Sequence, residues 1–172
     1  MAPDTESGTP GYSPNAAHLV RTVQQSHIQL SMMADQKASI LMGASFVIFT
    51  ITVGQARGSA APLALLILGG FAFLSAVCAV MAVLPSIGVR RKAPENLLFF
   101  GSFTDLGEDE FVERITARLA SDDSIYRTMA RDIYQNGCVL RHKKYRMLSW
   151  AYRIFLVGLV ASAAAFVLEA WG

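Results

Sequence analysis

Three arginines and two tyrosines between positions 127 and 145 are the residues best suited to hold a ligand. Stepping 100° per residue along a helix puts Arg127, Arg131, Tyr134, Cys138, Arg141 and Tyr145 on one stripe. Guanidinium groups present forked donors to phosphate oxygens, and tyrosine rings stack on flat bases, so this stripe suits an anionic ligand with an aromatic ring. The basic residues also have a plainer use. Arg141, Lys143, Lys144 and Arg146 precede an apolar run, where cations hold topology or meet anionic lipid. A second polar series, His27, Ser31 and Asp35, falls at four-residue steps and ends beside Lys37. It marks a candidate gate or intersubunit contact, set against the ordinary reading of a charge pair snorkelled or solvated at a membrane boundary.

Little else in the chain carries chemistry. No nucleophile–base arrangement, P-loop or Gly-rich phosphate loop is present, so an enzyme is not expected. Cys78 lies in an apolar run and Cys138 in a polar helical pattern, which argues against a disulfide between them. His18, His27 and His142 are too dispersed for a metal, whose ligands come two to four residues apart, and no cofactor is expected.

The elements that position these residues follow from an uneven distribution of charge. The 172 residues are 53% hydrophobic and 16% charged, with a mean hydropathy of +0.38, whereas soluble domains carry about a quarter charged residues. The net charge of +2 is too small to argue for DNA or RNA. No Asp, Glu, Lys, Arg or His occurs between Lys37 and Arg57, nor between Arg57 and Arg90. A bilayer core of about 30 Å takes roughly 20 apolar helical residues, so each run is long enough to span it. The expected architecture is an all-α membrane protein with three transmembrane helices, at 38–56, 62–84 and 150–168. The third apolar run is short, but Arg153 can snorkel, and Trp150, Tyr152 and Trp171 supply interfacial aromatics. Gly158, Ala161, Ser162 and Ala165 recur at three- and four-residue spacing, which suits close helix contact.

Around these spans the sequence predicts a disordered tail over 1–14, with no basic region of a secretory signal, and a helix over 15–37 that runs on into the first span. Ser13-Pro14 suits that helix's start. Of the fifteen Lys and Arg, twelve lie between Pro85 and Arg153, two precede the first span and one, Arg57, sits in the turn after it. By the positive-inside rule the N-terminus and the 85–149 segment are expected in the cytoplasm, with the Arg57 turn outside. Within 85–149, Asp105-Leu106-Gly107-Glu108 has capping-box spacing, and Phe111, Ile115 and Leu119 follow as an amphipathic stripe over about 108–120. Ser121 opens a last helix, expected to be long and continuous into the membrane. Its other stripe, Ile125, Met129, Ile133, Asn136, Leu140 and Met147, should face a core.

Three segments carry a resemblance. Ala34-Asp35-Gln36-Lys37-Ala38-Ser39-Ile40-Leu41, Asn96-Leu97-Leu98-Phe99-Phe100-Gly101 and Arg131-Asp132-Ile133-Tyr134-Gln135-Asn136 resemble, in this order, the transmembrane Pycsar effector family. Leu140, Lys144-Tyr145, Ala151-Tyr152-Arg153-Ile154-Phe155 and Gly158 continue the pattern, which covers about 18–168. The resemblance implies a bacterial antiphage effector, partnered with a pyrimidine nucleotide cyclase and activated by cyclic CMP or cyclic UMP. It implies an inner-membrane location and death of the infected cell by damage to that membrane; three spans in one monomer offer no obvious pore, so a homo-oligomer is expected. The resemblance assigns no ligand-binding residue, so the candidates remain Arg127, Arg131, Tyr134, Arg141 and Tyr145. Two other readings stand beside it: a holin-like or toxin protein that permeabilises membranes without a nucleotide, and a structural membrane anchor subunit.

Overall fold

The computed structural model describes residues 11–57, 62–84 and 96–171, and every regular element among them is helical. The basic triplet Arg90-Arg91-Lys92 and most of the expected tail lie outside the described residues. The helices are α1 (Ala16–Ala56), α2 (Leu63–Val83), α3 (Phe100–Phe103), α4 (Glu108–Arg118), α5 (Asp122–Val139) and α6 (Arg146–Trp171), with a π-helical turn (Leu140–Tyr145) joining α5 to α6. Among the described residues three helical stretches are long and apolar enough to cross a membrane: Ala16–Ala56, Leu63–Val83 and Asp122–Trp171. The chain forms two compact units, one from 1–26 and 87–135, the other from 27–86 and 136–172, and α1 and α5 each contribute to both.

The second unit is a bundle of three apolar helices built on small residues. In lipid there is no hydrophobic drive to join helices, so close backbone approach and hydrogen bonding do the work. Ala34, Ala38 and Leu41 of α1, Ala79 and Ala82 of α2, and Leu148 and Ala151 of α6 form its core. Further along, Ser75 Oγ donates to the Ala151 carbonyl at 2.8 Å and Ser162 Oγ to the Ala64 carbonyl at 2.7 Å, so α2 and α6 run antiparallel. Gly158 shows how near they lie: a Cβ there would sit 2.2 Å from Cβ of Phe71. At Gly69 a Cβ would meet the Thr52 side chain at 2.6 Å, which marks the equivalent approach of α1 and α2.

Both ends of α2 are closed by ionised side chains near the ends of the last helix. Glu169 accepts the Leu63 N–H at 2.8 Å, at the end where a helix dipole favours an anion, and Lys143 Nζ donates to the Leu84 carbonyl at 2.8 Å, where it favours a cation. Lys143 therefore has a structural partner where the sequence suggested a topology anchor or lipid contact.

Serines stand at the starts of two helices: the Asn15 N–H donates to Ser13 Oγ in the turn ahead of α1, and the Ser124 N–H to Ser121 Oγ caps α5, both at 3.3 Å. The expected capping box at Asp105 does not form. Gly107 is the N-cap of α4 and makes no side-chain cap; its extended backbone and the three acids of the first turn, Glu108, Asp109 and Glu110, start the helix instead. Phe111 packs on Phe103 with ring centroids 4.8 Å apart, whereas Leu119 lies past the helix end and is exposed.

Candidate functional site

In the first unit α5 places Arg127, Arg131 and Tyr134 on an exposed face, Tyr134 at 73% exposure. Arg127 Nε donates to Asp123 Oδ2 at 2.6 Å, one turn back on the same helix. Asp123 Oδ1 accepts the hydroxyl of Tyr12 at 2.6 Å, and the Tyr12 ring lies against Tyr126 with centroids 4.6 Å apart. The titrations follow from these bonds. Donating to Asp123 raises the Tyr12 phenol above its ordinary range, aided by desolvation. Accepting from Tyr12 and then from Arg127 holds Asp123 below the ordinary carboxylate value, and the same carboxylate raises Arg127.

The other side of α5 holds a buried carboxylate. Asp132, 6% exposed, accepts from Asn96 Nδ2 at 2.9 Å and from Gln24 Nε2 at 3.4 Å. Asn96 Oδ1 in turn accepts the Leu98 N–H at 2.9 Å, so the amide ties the 96–98 turn to α5. Sequence reasoning did not single out this network as a site. Its signal was present: Asp132 stands three residues beyond Met129 and seven beyond Ile125, in line with the stripe expected to face a core although not counted in it, and a carboxylate there needs donors.

In the second unit the polar series on α1 meets the π turn. Lys144 Nζ donates to Ser31 Oγ at 2.7 Å and to both oxygens of Asp35, at 2.8 and 2.7 Å. The ammonium is thus saturated by three acceptors, with the two side chains 22% and 40% exposed. Asp35 therefore pairs with Lys144, a residue the sequence suggested for lipid or topology. Lys37 is exposed, and its carbonyl accepts from the Tyr152 hydroxyl at 3.3 Å. His27, one step earlier in the series, has Nδ1 enclosed without a hydrogen-bond partner, and its ring edge faces Gly137.

The five expected ligand residues do not share one unit. Arg127, Arg131 and Tyr134 belong to the first, Arg141 and Tyr145 to the second. The stripe assumed an even 100° step, and the π turn at Leu140–Tyr145 interrupts that step. Arg141 is exposed, while Tyr145 packs against the core cluster and its hydroxyl donates to the Leu30 carbonyl at 3.3 Å. Among the described residues no group of three His, Cys, Asp or Glu is placed to hold a metal.

Fold and side chains together define a helical membrane protein with a separate unit bearing exposed arginine and tyrosine. The family model for the Pycsar effector protein domain matches residues 18–169, and the chain belongs to that family. It is 32% identical over 100 residues to the Pycsar effector protein PtPycTM of Propioniciclava tarda, a match covering 56% of this chain and 48% of that protein. The chain thus matches about half the length of that curated relative. No solved structure matches the chain.

Proposed function

We propose that this chain is the membrane effector of a bacterial antiphage system. A cyclic pyrimidine nucleotide, cyclic CMP or cyclic UMP, made by a partner cyclase binds the first unit, and the three-helix bundle then impairs the inner membrane. The observation that carries the reading is the family match over 18–169, which takes in all three apolar stretches and α5. The chemistry of α5 supports it. A cyclic nucleotide is a monoanion with a flat ring, and Arg127, Arg131 and Tyr134 offer forked donors and an aromatic face. Arg141 is a further candidate, with Tyr145 serving as packing.

In the proposed topology the N-terminus and 85–149 are cytoplasmic, as thirteen of the fifteen basic residues favour. α1 and α5 each carry residues of both units, so a change in how the first unit packs reaches the bundle through continuous helices. Membrane damage requires several copies. The tie of Lys144 to Ser31 and Asp35 is the proposed restraint of the resting state.

The test is dye release from vesicles reconstituted with the full chain. Cyclic CMP or cyclic UMP should trigger leakage and cyclic AMP should not. Equal leakage with and without any nucleotide would instead identify a ligand-independent permeabilising protein.

A further inference from the structure

We propose that the ring of Tyr126 is the stacking platform for the ligand's base, and that Tyr12 is its resident occupant, displaced when the ligand binds. The inference rests on α5 as the nucleotide-binding face and adds a platform residue and a means of restraint.

The geometry of the pair points this way. Tyr12 sits on Tyr126 with centroids 4.6 Å apart and planes inclined at 49°. That spacing is within the range of a favourable aromatic pair, and the tilt gives less overlap of faces than a flat base lying parallel in its place would. The second hold on Tyr12 is its hydroxyl, which donates to Asp123. Asp123 also takes Nε of Arg127, and so sets a negative charge beside the guanidinium most suited to a phosphate. Tyr12, ahead of α1, therefore occupies the base's place on the ring and supports the carboxylate that neutralises the arginine.

The contacts of Tyr12 are a ring pair and one hydrogen bond at the surface, and Tyr12 itself is 44% exposed. A nucleotide replaces the ring pair, its base stacking on Tyr126 as Tyr12 does, and its phosphate takes Arg127 in place of Asp123. The other polar clusters have no such exchangeable partner. Asp132 is buried under Asn96 and Gln24, and Lys144 is saturated within its own bundle.

Purified full-length protein in detergent is titrated with cyclic CMP and cyclic UMP by calorimetry. Removing the competing ring in Tyr12→Ala should tighten binding roughly two- to tenfold, the worth of one exposed aromatic pair. Tyr12→Phe, which keeps the ring and loses the hydroxyl, should fall between wild type and Tyr12→Ala. Tyr126→Ala should weaken binding at least about fivefold, and Tyr126→Phe should restore it. Unchanged or weaker binding in Tyr12→Ala, with wild type binding normally and Arg131→Ala impaired, overturns the displacement model while leaving the proposed function standing. Failure of wild type to bind either nucleotide overturns both.

Discussion

Lys144 illustrates how a side chain's partners decide its role. By position it is one of four cations ahead of an apolar run, a setting in which topology and lipid account for most lysines. Its ammonium instead lies between Ser31 and both oxygens of Asp35. Replacing either ionised partner by Ala should cost about 1–2 kcal/mol, more than a fully exposed pair and less than a buried one. Thermal melts in detergent of Asp35→Ala, Lys144→Ala and the double variant check this. The double variant should lose less than the sum of the two, and strict additivity would show that the pair contributes nothing. Asp35 was legible as a polar residue of interest because it follows Ser31 and His27 at four-residue steps. Its partner was not, because 109 residues separate the two and only the packed bundle sets them side by side.

The Tyr12–Asp123–Arg127 contact carries a pH dependence at the same scale. Asp123 is depressed, so its contribution is present above its ordinary value of 3.8 and is lost as pH falls through the lower folded value. Tyr12 is raised, so its contribution is present below its ordinary value of 10.0 and is lost as pH rises through the higher folded value. The charges around it oppose one another: Asp123 and Asp122 raise Tyr12, and Arg127 lowers it. Ultraviolet titration should reveal a tyrosine ionising above its ordinary value of 10.0 in wild type and absent in Tyr12→Phe. Identical curves would show that the hydroxyl is not held by Asp123.

Among the elements, close approach of the spans depends on glycine and alanine. Gly158→Ala places a Cβ against Phe71 and should destabilise by about 1–3 kcal/mol through overpacking. Gly70→Ala is the control. A Cβ there meets nothing within 4 Å, so the higher helix propensity of Ala should leave stability unchanged or raise it by up to about 1 kcal/mol. Equal melting shifts for the two variants would contradict the packing described for α2 and α6. Much of this architecture can be read from residue order: charge-free runs mark α1 and α2, serines mark the starts of α1 and α5, and small residues at three- and four-residue steps mark the α6 seam. The π turn at Leu140–Tyr145 cannot be read that way, since Leu-Arg-His-Lys-Lys-Tyr contains neither Gly nor Pro. It shows only where Tyr145 and Lys144 meet partners on α1. Extending one even stripe through it placed Tyr145 with the ligand residues, although the folded chain turns that ring onto the core.

The whole molecule comprises a bundle of helices long and apolar enough to cross a membrane and a unit that carries exposed arginine and tyrosine. The class of protein was legible because apolar length and charge spacing leave few alternatives, and ordered segments from Ala34 to Gly158 resemble one family. The proposed site was legible only in part: Arg127, Arg131 and Tyr134 follow from helical periodicity, whereas Tyr12 reaches Asp123 and Tyr126 only through tertiary structure. Asp132 and Asn96 were likewise in view as residues, but not as a buried pair. On the proposed function this chain binds a cyclic pyrimidine nucleotide through α5, and equilibrium titration of the purified protein measures that binding directly. The expected result is saturable binding of cyclic CMP or cyclic UMP, negligible binding of cyclic AMP, and loss of affinity in Arg127→Ala and Arg131→Ala with helical content intact. Absence of pyrimidine-specific binding by the folded wild-type protein would contradict it.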